Sequence, residues 1–171
     1  SGLHAAHELV NPQVKPLHVV QLDVSPHNIL VSYDGHVKMV DFGIAYAAER
    51  LTQTGHDMLK GKAPYMSPEQ TEGKLVDRRS DIFSLGTVLF ETVCMRRLFK
   101  EDSQAATIKR VSEVDVPNPR SIRSDIPAEL ERIMLKALSK KPNDRYDTAG
   151  EFADDLEAVM AANEKRINPR K

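Results

Sequence analysis

The sequence predicts a mainly α-helical domain with a small β-hairpin near its start. Short β-branched runs, Val19-Val20, Ile29-Leu30-Val31 and Val37-Lys38-Met39-Val40, are confined to residues 19–40. Between the last two lies Tyr33-Asp34-Gly35-His36, and an Asp-Gly pair between strands marks a hairpin turn. After Pro68 the apolar residues recur at helical spacing, and no internal repeat or low-complexity tract interrupts them.

The elements follow in order. Leu3, Ala6, Leu9 and Val10 stand at helical spacing from the first residues onward. Ser1 is the only candidate cap and Gly2 is a poor helix former, so the chain reads as beginning inside a longer helix. His4 and His7 share a face of that helix, which reads as exposed. Gln21 to Asn28 form a polar loop containing Pro26, and the hairpin follows. Residues 44–66 show no sustained period and carry Gly43, Gly55 and Gly61 at or near their borders, as a long functional loop does.

Ile82, Phe83, Leu85, Val88, Leu89, Phe90 and Val93 are apolar almost all round, which predicts a central, buried helix. Cys94, after this run, reads as a small core hydrophobe. Asp102 to Val111 form a weaker amphipathic helix with Ala105, Ile108 and Val111 on one stripe. The prolines of residues 115–127 predict a loop, and Pro127 opens a helix that turns Leu130, Ile133, Met134, Ala137 and Leu138 inward. Asp147 or Thr148 caps the last helix, with Phe152, Leu156, Val159 and Met160 as its core stripe. Residues 165–171 read as a polar tail.

Composition narrows the function classes. The 171 residues suffice for one domain with a real core. At 40% hydrophobic and 29% charged, they are not those of a disordered chain. Lys plus Arg number 24 against 25 acidic residues, and a net charge of -1 argues against bulk electrostatic binding of nucleic acid. One cysteine excludes an internal disulfide framework, and no histidine stands at metal-ligand spacing from it. No run of about 18 apolar residues occurs, and no signal peptide is expected, so the expected location is cytoplasmic, with any membrane anchor of a longer protein outside this segment.

The chemistry gathers at one edge. Asp23 and Asn28 stand five apart in the first loop, and Asp41-Phe42-Gly43 follows the hairpin, so an acid, an amide and a second acid converge on two strand ends. Taken singly, these are an Asx-turn and a strand-ending turn. Taken with Ser67-Pro68-Glu69, Asp81-Ile82-Phe83-Ser84-Leu85-Gly86 and Lys141-Pro142-Asn143-Asp144-Arg145-Tyr146, in that order, they are far more specific. The set resembles the C-terminal lobe of a protein Ser/Thr kinase. Ser25-Pro26 and the stretch from Gly61 to Gln70 are most similar to bacterial members of the eukaryotic-like branch.

The resemblance covers nearly the whole chain and implies a kinase C-lobe over residues 1–164, the helical part of an α+β parent fold with its first helix truncated. It implies transfer of the ATP γ-phosphoryl group to Ser or Thr hydroxyls of a protein substrate, with magnesium. Asp23 would take the hydroxyl proton and Ser25 would sit beside it in the catalytic loop. Asn28 and Asp41 would hold magnesium, and Asn28, Leu30 and Asp41 the nucleotide. The activation segment would run from Asp41, Phe42 and Gly43 through Thr52, Thr54 and Lys62 to Ser67, Pro68 and Glu69. Asp81 would anchor the catalytic loop through its backbone N–H groups. Glu69 and Arg145 would form a bidentate bridge tying the segment to the helical base.

Departures from the family pattern set a second reading beside the first. Gln21 and Leu22 replace a histidine and an arginine, and Leu22 offers no pocket for an activation-loop phosphate on Thr52 or Thr54. Ser25 replaces a lysine and carries no charge toward a transferring phosphoryl group. Lys62 replaces a threonine; the default reading is a solvated side chain, and the alternative is that it supplies the missing charge. No glycine-rich G-x-G-x-x-G loop, V-A-I-K strand or partner glutamate helix is found, which implies that the small lobe is absent and the isolated lobe inactive. The alternative function is a pseudokinase-like module that binds proteins without phosphotransfer. Without a covering lobe, Leu3, Leu30 and Phe42 should lie near an open apolar face, which predicts a homo-oligomer.

Overall fold

The computed structural model describes residues 2–8, 20–40 and 62–167, with side chains described as far as residue 163. Helix α1 (Gly2–His7) precedes a hairpin, in which β1 (Ile29–Val31) pairs antiparallel with β2 (Val37–Met39). The register sets Ile29 opposite Met39, Leu30 opposite Lys38 and Val31 opposite Val37. Gly35 turns the hairpin at φ 85°, a conformation that glycine adopts without penalty, and its N–H donates to the Ser32 carbonyl at 3.0 Å. Val40 lies just past the strand, yet its N–H still reaches the Asn28 carbonyl at 2.9 Å, tying the hairpin to the loop before it.

The α-helices that follow among the described residues are α2 (Pro68–Thr71), α3 (Arg78–Cys94), α4 (Gln104–Glu113), α5 (Pro119–Ile122), α6 (Ala128–Ala137) and α7 (Ala149–Ile167). Side chains set where these helices begin. Asp77 caps α3, Ser103 caps α4 and Asn118 caps α5, each accepting a backbone N–H of the first turn. At α7 it is Thr148, rather than Asp147, that accepts the Glu151 N–H, at 3.1 Å.

The α3 helix runs through the centre. Phe83 and Phe90 are fully buried and join Phe99, Val111, Met134 and Leu138 in one cluster. Ile82 lies in a second cluster with Ile133, Ala137, Tyr146 and Phe152. Gly86 lets α3 and α6 approach, because a Cβ there would sit 3.0 Å from the Ala137 Cβ. A third cluster joins Leu3, Val24 and Ala149, and so seats the loop before the hairpin between α1 and α7.

Several sequence expectations are corrected. Val20 belongs to no strand, and Val19 lies outside the described residues. The 115–127 loop contains a helical turn, α5, because Asn118-Pro119 supplies a cap followed by a proline at the first helical position. Met160 is 63% exposed, since the inward stripe of α7 stops at Val159. Leu3 is not at an open face; it is 2% exposed, packed with Val24 and Ala149. Leu30 is exposed as expected, while Phe42 lies outside the described residues.

Candidate active site

The loop at residues 20–28 is held in an unfavourable shape. Leu22 sits at φ 55°, in the left-handed region that costs a residue with a Cβ about 1–2 kcal/mol. Asp81, in the first turn of α3 and fully buried, supplies the restraint. One carboxylate oxygen accepts the Gln21 N–H and the other the Leu22 N–H, both at 2.7 Å. Asp81 thus combines the loop contact with the helix-start position.

His7 lies 2.8 Å from Asp81 through Nε2, and that nitrogen must be the donor because a carboxylate only accepts. The exposed reading of His7 is therefore wrong: it is 6% exposed and ties α1 to the same carboxylate. The signal lay in its spacing, since His7 follows Leu3 by four residues and four residues put both on one helix face.

Asp23 and Asn28 are brought together. The Asn28 side-chain amide donates to the Asp23 backbone carbonyl at 3.0 Å, closing the loop across the 3-10 turn Pro26–Asn28. This commits the amide nitrogen and leaves the Asn28 side-chain oxygen as a hard ligand suited to magnesium. Ser25 is buried at the start of that turn. The Asp23 carboxylate is 15% exposed; its Oδ2 receives Lys62 Nζ at 2.6 Å, while its Oδ1 is buried with no hydrogen-bond partner among the described residues. Leu30 follows on β1 with its side chain open to solvent. Asp41, Phe42, Gly43, Thr52 and Thr54 lie outside the described residues.

The stretch carrying Lys62 is fixed by a chain of polar contacts. Ser84 donates from α3 to the Tyr65 carbonyl at 2.6 Å. The Tyr65 hydroxyl donates to Glu91 at 2.8 Å and meets Arg97; burial, followed by the hydrogen bond to Glu91, pushes its pKa up. Ser67 caps α2 through a reciprocal box with Gln70. Sequence reading missed Tyr65, Ser84 and Glu91, none of which belongs to a charged motif.

Glu69 and Arg145 make the second polar centre. The guanidinium donates to both Glu69 oxygens, at 2.7 and 2.8 Å, and Ser80 donates to Glu69 at 2.7 Å. Arg145 also donates to the carbonyls of Ser139 at 2.8 Å, Arg79 at 2.9 Å and Lys140 at 3.0 Å. Burial opposes the Glu69 charge, but the hydrogen bonds from Arg145 and Ser80 outweigh it and hold the carboxyl below its ordinary range.

Comparison with known proteins decides the family. The protein kinase domain model matches residues 12–155. The chain belongs to the protein kinase family. It is 48% identical over 160 residues to the tyrosine-protein kinase MasK of Myxococcus xanthus, covering 94% of this chain and 25% of that protein. It is 37% identical over 152 residues to the serine/threonine-protein kinase PrkC of Bacillus subtilis, covering 87% of this chain and 24% of that one. To the serine/threonine-protein kinase PknB of Mycolicibacterium smegmatis it is 42% identical over 144 residues, covering 81% and 22%. The chain thus spans about a quarter of the length of the curated relatives it matches. Among solved structures, the twitchin kinase region of C. elegans superposes with a TM-score of 0.70 at 26% identity, covering 91% of this chain and 25% of that one. The mainly helical fold, with a hairpin among the described residues, is accordingly similar to that of a protein kinase. Among the described residues no helix is long and apolar enough to cross a membrane.

Proposed function

We propose that this chain is the C-terminal lobe of an ATP- and magnesium-dependent protein Ser/Thr kinase, with Asp23 as the group that takes the acceptor hydroxyl's proton. The observation that carries this reading is the Asp23 carboxylate. One of its oxygens is buried without a partner among the described residues, in a loop whose strained backbone Asp81 restrains. A buried acceptor with no donor costs about 1–3 kcal/mol, and an incoming hydroxyl supplies the donor.

In the reaction the acceptor oxygen forms a bond to the γ-phosphorus and its proton passes to Asp23. The bond from the γ-phosphorus to the bridging oxygen breaks, with its electron pair leaving on ADP. Asn28 and Asp41 are the residues that would hold magnesium, which neutralises phosphate charge when bound. Asn28, Leu30 and Asp41 form this lobe's share of the nucleotide site. Self-association through the hairpin, which exposes Val31 and Val37 on the face opposite Leu30, belongs to the same proposal.

The test is phosphate transfer from labelled ATP to a general protein acceptor by the native protein containing this chain, followed by phosphoamino acid analysis. Asp23→Asn should lower kcat by at least about a hundredfold, a barrier rise of about 2.7 kcal/mol. Label on Ser and Thr is expected. Equal activity of wild type and Asp23→Asn overturns the role of Asp23, and label on Tyr alone overturns the acceptor class.

A further inference from the structure

We propose that Lys62 is the cation of the phosphoryl-transfer site, supplied from the activation segment in place of the catalytic loop. The inference rests on the kinase reading and assigns the charge which that reading leaves open.

The loop from Gln21 to Asn28 contains no lysine or arginine, and Ser25, buried beside Asp23, is neutral. Transfer of a phosphoryl group spreads negative charge over its oxygens, and cationic side chains aimed at that charge are a main source of rate. Lys62 Nζ stands 2.6 Å from Asp23 Oδ2, a short charge-assisted hydrogen bond. It spends one of its three donors there, and Asp23 is its one side-chain hydrogen-bond partner among the described residues.

The two Asp23 oxygens divide the work. Oδ2 is taken by Lys62, and Oδ1 is buried and has no hydrogen-bond partner among the described residues. A hydroxyl bound at Oδ1 therefore has the ammonium group on the neighbouring oxygen of the same carboxylate. The phosphoryl group that this hydroxyl attacks comes within reach of the remaining N–H donors. The lysine side chain is 46% exposed against 15% for Asp23, so its outer side is open to a ligand. Its backbone is rigidly placed, because the following turn is held by the Ser84 contact to the Tyr65 carbonyl and by the Ser67 capping box.

A merely superficial ion pair makes a different prediction. Half-exposed pairs contribute little to stability and nothing to a rate. The experiment uses the native protein containing this chain, with Lys62→Met, Lys62→Thr and the double variant Lys62→Thr with Ser25→Lys. Melting temperature, kcat and the KM for ATP are measured for each. Expected are an unchanged melting temperature, a kcat lowered about a hundredfold in Lys62→Met, and a KM changed less than about threefold. Returning the lysine to the loop in the double variant should restore at least about tenfold of the loss seen in Lys62→Thr. A kcat in Lys62→Met within about tenfold of wild type overturns the proposal, and so does a double variant no faster than Lys62→Thr. If wild type and Asp23→Asn are equally inactive, the kinase reading itself fails, and the two failures are thereby told apart.

Discussion

Replacing Arg145 with alanine removes one side chain and strands several groups at once. The guanidinium is 4% exposed and donates to both oxygens of Glu69 and to the carbonyls of Ser139, Arg79 and Lys140. Glu69 is itself 6% exposed, so after the change the Ser80 hydroxyl and the Glu69 backbone N–H are left, among the described residues, to solvate a buried carboxylate. Removing one member of such a pair costs about 3–5 kcal/mol. That is a large part of the 5–15 kcal/mol typical of a folded domain, and at this chain length it lowers the melting temperature by about 6–20 °C. Arg145→Lys should recover little, because an ammonium group cannot reproduce the planar fork that meets both Glu69 oxygens and the carbonyls together. The measurement is urea unfolding followed by circular dichroism, with wild type, both Arg145 variants and Glu69→Gln. A loss below about 0.5 kcal/mol for Arg145→Ala would refute the reasoning, since only a solvated pair is so cheap to break.

Three further outcomes are expected. Asp81→Asn replaces one of two acceptor oxygens with a donor that faces a backbone N–H; hydrogen bonds to charged groups are worth about 1.5–3 kcal/mol each, and amide exchange at Gln21 and Leu22 should accelerate in step with that loss. Gly86→Val should destabilise by about 1–3 kcal/mol in the same urea assay, because its side chain would overlap Ala137 and Leu138 on α6; an unchanged midpoint would show that the helices separate freely. For pH, Glu69 titrates below its ordinary 4.5 when folded, so the stability it contributes is complete above pH 4.5 and is lost as pH falls through the folded value. The stability gap between wild type and Glu69→Gln should therefore narrow on acidification below pH 4.5, and a gap that widens there would contradict the sign.

The sequence was most legible where chemistry restricts the residue type. Asp23, Asn28, Glu69, Asp81 and Arg145 stand in motifs, and the apolar run from Ile82 to Val93 announces the central helix through its composition alone. Polar residues with a buried role were the least legible. Nothing in the identity of His7 points inward; only its spacing from Leu3 does, and the carboxylate that satisfies it lies 74 positions away. Tyr65 and Ser84 act through a backbone carbonyl and a shared glutamate, contacts that no local pattern encodes. Proline count misled at residues 115–127, where Asn118-Pro119 starts a turn of helix. Apolar spacing misled at Met160, since periodicity continues along a helix past the point where its partner ends.

The contacts that hold the loop at residues 20–28 also set when it can form. Gln21 waits for Asp81, 60 positions later, and Glu69 waits for Arg145, 76 positions later. A ribosome adding about 5–20 residues per second leaves Glu69 without its partner for about 4–15 s after it is made. During that interval the carboxylate stays in water, because burying it alone is too costly, and the segment carrying Lys62 has no dock. The strained backbone at Leu22 likewise has nothing to hold it until the start of α3 has been synthesised. The residues proposed to carry out the chemistry are therefore translated before the residues whose contacts organise them. The charge proposed for phosphoryl transfer is assembled only after the helical base has closed.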